Sequence, residues 1–170
     1  MKAAAALVFL FLSFPSFATS AEKPSAKVVF EQLKTLVGDW KSAKPERSTT
    51  INVKLVANGS ALVETWTMSP TRQSMTIYTL DGDRLIATHY CPQGNAPRLE
   101  WIGTKGEGTY QFEFLDGTNL QDPEGSHEHA FTMRFDSKDS WTRGETYIGN
   151  KARYDPKVDL PTEETFVRVR

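Results

Sequence analysis

The chemistry-bearing residues of this chain are few and paired. Its 170 residues include three histidines and one cysteine. His127 and His129 stand two apart, as do His89 and Cys91. Alternate residues of a strand share a face, so each pair projects from one side if its segment is extended. Imidazole and thiolate suit Zn²⁺ or Cu, which makes His89, Cys91, His127 and His129 the candidate metal set. Glu64 lies in the stripe Leu62, Glu64, Trp66, Met68, a carboxylate among large apolar groups. With the histidines it could form a hydrogen-bonded cluster, accepting from an imidazole N–H. The same groups could orient a small molecule, or serve as the His/Glu acid–base pair of a hydrolase or isomerase. A Cys91 nucleophile would need an imidazole in reach. At a rise of ~3.3 Å per residue, His89 lies about 6–7 Å away and is not aligned for proton transfer. Arg98 follows Gly94-Asn95-Ala96-Pro97, where a loop enters a strand. It could hold the loop through carbonyls, pair with Glu64 or Asp81, or clamp a ligand carboxylate. The sequence contains no Ser-His-Asp order, glycine-rich phosphate loop or HExxH motif. It requires no cofactor.

The elements that must position these groups follow from periodicity. Val28, Val29, Phe30, Leu33, Leu36 and Val37 recur at helical spacing, which predicts one amphipathic helix over about 26–36. After Gly38 and Trp40 the period becomes 2. Strands are expected from Ile51, from Ala61 to Met68, from Met75 into the Asp81-Gly82-Asp83 turn, and from Arg84 to Cys91. Further strands are expected over 98–103, 109–115, 127–135, 141–148 and 165–170, and Asn58-Gly59 marks a hairpin. Parity places His127 and His129 inward with Phe131, Met133 and Phe135, and Arg134 outward. It groups Leu85, Ala87, His89 and Cys91 on one face, and Tyr110, Phe112 and Phe114 on another. Tyr78, opposite Ile77, is expected on the outer wall, and Trp40 as a plug beneath the helix. The longest loop is 149–162.

Nine or ten short antiparallel strands and a single short N-terminal helix leave no parallel crossover units. A meander this long curls closed or splits. Closure removes exposed edges, so the expected fold is all-β, a single up-and-down antiparallel barrel.

Several segments carry a resemblance. They are Leu36-Val37-Gly38-Asp39-Trp40, Asn58-Gly59-Ser60-Ala61-Leu62-Val63-Glu64-Thr65, Tyr78-Thr79-Leu80-Asp81-Gly82-Asp83, Thr88-His89-Tyr90-Cys91 and Gly94-Asn95-Ala96-Pro97-Arg98. Together they resemble a bacterial family of calycin-like (lipocalin-like) barrels of unknown function, distantly similar to fatty-acid-binding and nitrobindin-like barrels. The resemblance spans most of the chain after the leader. It implies a barrel with an internal cavity and no particular reaction.

Composition narrows the function classes. Twenty Lys and Arg against 21 Asp and Glu lack the basic excess of a nucleic-acid binder. One cysteine permits neither an internal disulfide nor a CxxC pair. Met1-Lys2, the apolar run Ala3 to Leu12, the break at Ser13-Phe14-Pro15 and the small residues to Ala21 follow the pattern of a secretory signal peptide. Cleavage is expected after Ala18 or, preferably, Ala21. The run is too short for a membrane span of ~20 residues. The expected organisation is therefore a signal peptide over 1–21 and a barrel domain over 22–170, periplasmic or secreted. The leading functional expectation is binding of a small apolar or amphipathic molecule by Glu64, His89, Cys91, Arg98, His127 and His129. The alternatives are the His/Glu enzyme, a metal- or haem-binding barrel, and a structural barrel with a filled core.

Overall fold

The computed structural model describes residues 24–170 except Glu107 and Pro123; the expected leader over 1–21 lies outside the described residues. Ser25 caps the helix by accepting from the Val28 amide, a favoured start for a helix. The helix α1 (Ala26–Lys34) turns Val29, Phe30 and Leu33 inward. Each such burial is worth about 1.5–3 kcal/mol. The helix ends two residues short of the expectation, with Gly38 at φ +133° opening the first strand.

Ten strands follow: β1 (Gly38–Ser42), β2 (Thr50–Val56), β3 (Ala61–Ser69), β4 (Arg72–Asp81), β5 (Arg84–Tyr90), β6 (Ala96–Lys105), β7 (Thr109–Thr118), β8 (Ser126–Ser137), β9 (Ser140–Gly149) and β10 (Thr162–Arg168). Each pairs antiparallel with its sequence neighbours, and β1 pairs with β10 to close the barrel. The expected all-β, up-and-down closure is what forms.

The two ends of the barrel differ. The far end of β1 pairs with the start of β2, Lys41 with Thr50, so α1, which precedes β1, sits at the opposite end and closes it. There Trp40 meets Trp141 edge-on at 6.2 Å, and Trp141 meets Phe166 at 5.2 Å. Trp40 donates its indole N–H to the Leu36 carbonyl at 2.7 Å, so it is the expected plug with its polar atom satisfied. Leu62, Leu85, Leu99, Phe112, Phe131 and Met133 fill the middle. No helix among the described residues is long and apolar enough to cross a membrane.

Two strands depart from the expected parity. On β4 the inward residues are Ser74, Thr76 and Tyr78, while Met75 is exposed. Tyr78 is therefore a core residue and not an outer-wall one. On β8, Glu128 pairs with Tyr147 and Ala130 with Thr146, which leaves His129 as an extra residue. This β-bulge restarts the alternation. Phe131 and Met133 point inward as expected, but the inward residue above them is Glu128 and not a histidine.

Candidate functional site

Strands β3, β4, β5, β8 and β9 send polar side chains into the upper half of the barrel. Arg143 on β9 is at the centre. It donates to the Tyr78 hydroxyl at 2.9 Å and to Glu128 at 3.0 Å. Its ion-pair distances to Glu64 and Glu145 are 3.7 and 3.4 Å. The Tyr78 hydroxyl in turn donates a hydrogen bond to Glu64 at 2.8 Å, and Trp66 donates to the other Glu64 oxygen. The guanidinium also lies 3.6 Å over the Phe131 ring, a favourable cation–π geometry. Arg143, Glu64 and Glu128 are all essentially without solvent exposure.

His89 joins this network from β5. Its Nδ1 is 3.0 Å from the Thr76 hydroxyl and 3.6 Å from Glu128, and its Nε2 is 3.3 Å from the Tyr147 hydroxyl. Burial, with Arg143 nearby, lowers its pKa to about 4, so the imidazole is neutral at pH 7. Burial and the neighbouring Glu128 raise Glu145 to about 7. Burial also raises Glu128 and Tyr78. For Arg143 burial opposes the charge, but Tyr78 and the three glutamates more than offset it and the guanidinium stays charged. Buried charges persist where they are paired, and this cluster is held on that condition.

Above the cluster the barrel opens. A cavity of about 460 Å³ is bounded by Trp66, Met68, Arg72, Ser74, Cys91 and Tyr147 among others. Glu145 lies on its floor. A side chamber of about 100 Å³ brings Arg143, Glu145, Glu164, Arg47 and Trp66 together. The cavity thus sits at the end where β2, β4 and β10 begin, opposite α1.

Of the residues expected at the site, Glu64 and His89 belong to the cluster, though Glu64 accepts from Trp66 and Tyr78 and not from an imidazole. Cys91 lines the cavity, its thiol pKa raised by burial. His127 and His129 lie elsewhere. His127 Nε2 is 3.0 Å from His129 Nδ1, and His127 Nδ1 is 3.0 Å from Asn150. Phe114 stacks on His129, and Tyr154 of the β9–β10 loop packs on the same His129 ring at 4.5 Å between centroids. Arg98 is also outside the site: it forms a two-pronged pair with Asp116, and both are half-exposed. The loop before it is held by Asn95, which donates to the Ser126 carbonyl at 2.7 Å, with Gly94 at φ +86°. No group of three or more His, Cys, Asp or Glu side chains is arranged to hold a metal among the described residues.

No family model and no curated protein matches the chain. Among solved structures it is similar to a protein of unknown function from the DUF3598 family of Nostoc punctiforme. The TM-score is 0.43 at 13% identity, over 81% of this chain and 49% of that one. This chain therefore spans about half the length of that protein.

Sequence reasoning passed over Tyr78, Glu128, Arg143, Glu145 and Tyr147. One signal was available: Trp141, Arg143, Glu145 and Tyr147 alternate on a single strand face, so Trp141 inside puts a guanidinium and a carboxylate inside with it.

Proposed function

We propose that this protein is an exported calycin-like barrel that takes a small amphipathic molecule into its open end. The observation that carries this is the mouth cavity floored by a buried ionic network. At about 460 Å³ it falls within the ~300–1,000 Å³ of small-molecule sites, whose walls combine apolar surface with a few convergent polar groups. Trp66, Met68 and Tyr147 provide the walls; Ser74, Glu145 and Glu164 provide the polar contacts. Aromatic and aliphatic side chains fill the lower barrel, so the internal apolar cavity that was expected is narrowed here to the space at the open end. An amphipathic ligand suits this lining better than a wholly apolar one. The leader pattern over 1–21 supports export.

Native mass spectrometry of the protein purified from its own host tests the reading. A small molecule should be retained and should be lost on collisional activation or in Met68→Arg, which fills the cavity. A protein that carries nothing and binds nothing at this mouth would overturn it. N-terminal sequencing should begin at Thr19 or Glu22; an intact Met1 on exported protein would contradict cleavage.

A further inference from the structure

The charges around the cavity do not balance. Among the described residues Arg143 is the one guanidinium in contact with Glu64, Glu128 and Glu145. Arg47, from the β1–β2 loop, pairs with Glu164 at 2.7 Å, and the other oxygen of Glu164 is buried with no hydrogen-bond partner among the described residues. Four carboxylates thus face three guanidiniums, Arg143, Arg47 and Arg72 at the rim. Glu145 and Glu164 both border the side chamber. His89 supplies no counter-charge at pH 7, since burial keeps it neutral.

Unpaired buried charge is costly, so the excess is met by a proton or by a cation from outside. We infer that the molecule taken by the mouth cavity carries a cationic amine, seated against Glu145 and Glu164, with an apolar or aromatic body against Trp66 and Met68. This rests on the ligand-binding reading above and adds the ligand's charge class. The Trp66 ring borders the same chamber, and aromatic faces attract cations. An anionic end would meet Glu145 and Glu164, which line both the cavity and the side chamber. Arg72 at the rim is the one cation there that forms no ion pair among the described residues.

Proton and amine compete for the same carboxylate. Glu145 is faced by Arg143 and Tyr147 from its own strand, Glu128 from β8, Glu164 from β10, Glu64 and Trp66 from β3, His89 from β5 and Arg47 from the loop. In the free protein it retains its proton up to about pH 7. Amine affinity should therefore fall as pH drops below that point, while the amine itself stays charged.

Three probes with one body separate the possibilities: 2-phenylethylamine, phenylacetate and 2-phenylethanol. Binding is followed by calorimetry and by the Trp66 indole N–H resonance. The amine should bind most tightly and shift Trp66. Glu145→Gln, close to isosteric, should weaken it roughly tenfold, the worth of one charge-assisted hydrogen bond. Glu164→Gln gives a second variant should the first fold poorly. Phenylacetate or phenylethanol binding better than the amine, or an amine affinity unchanged in both variants, would refute the inference and leave ligand binding intact. The same holds for a retained native molecule without a cationic group. Absence of any probe binding together with an empty native protein would remove both readings.

Discussion

The two ends of the barrel are built from the same strands and solve opposite problems. At the closed end, Val29, Phe30 and Leu33 of α1 meet Trp40, Trp141 and Phe166, and stability comes from removing apolar surface from water. At the open end, Glu64, Tyr78, Glu128 and Arg143 are equally buried, yet taking charges out of water opposes folding, and their mutual attraction at best offsets that cost. Burial at the closed end therefore favours folding. The open end is tolerated by it, and what it provides is an arrangement of charge beneath a cavity.

This contrast can be broken or sharpened by substitution. The largest effect is expected for Arg143→Ala, which leaves the buried Glu64 and Glu128 and the partly exposed Glu145 without their cation and should cost roughly 3–5 kcal/mol in urea unfolding. A loss below 1 kcal/mol would mean that the carboxylates are already neutral. Leu33→Ala, at the other end, should cost about 3 kcal/mol through lost burial and a residual cavity, and its unfolding should keep the wild-type dependence on pH.

The pH dependence itself separates the ends next. His89 titrates near 4 in the fold against an ordinary 6.5. Its contribution is present above pH 6.5 and is lost as pH falls toward 4. Glu145 titrates near 7 against an ordinary 4.5. Its contribution is present below pH 4.5 and is lost as pH rises toward 7. The two oppose each other between 4.5 and 6.5. Melting temperatures from pH 4 to 8 should show His89→Gln protecting the acid side and Glu145→Gln the neutral side. Unaltered profiles in both variants would place neither group in a buried site.

The smallest effects belong outside both ends. Arg98→Ala removes a half-exposed pair with Asp116 and should cost about 0.2–1 kcal/mol. Arg134→Ala should change stability by less than about 0.5 kcal/mol, and a larger loss would put Arg134 inside and reverse the register of β8.

How much was legible in the sequence depended on the contrast between strand faces. Where apolar and polar residues alternate cleanly, parity worked: the Leu62, Glu64, Trp66 face and the Leu85, Ala87, His89 face both point inward. The helix and the strand order followed from spacing, and closure from the cost of exposed edges. On β4 both faces carry a mixture of hydroxyls and apolar groups, so the choice depends on what Tyr78 meets from β3 and β9, which is information from distant parts of the chain. On β8 the apolar run Phe131 to Phe135 was assigned correctly, but an irregularity at His129 separates it from the residues before it. A bulge has no single residue signature, and parity carried across it assigns the wrong face.

That one extra residue has a consequence for descent. A homologous chain lacking position 129 would have Glu128 directly before Ala130, and plain alternation would still turn the glutamate inward, toward Arg143. The ancestral gain or loss of a single codon here would add or remove one member of the outer histidine pair while leaving the interior charge unchanged. Lineages of this fold should accordingly vary in length at this point more freely than at Glu128 itself, and their kinship would be better traced by counting positions outward from Phe131 than from the histidines.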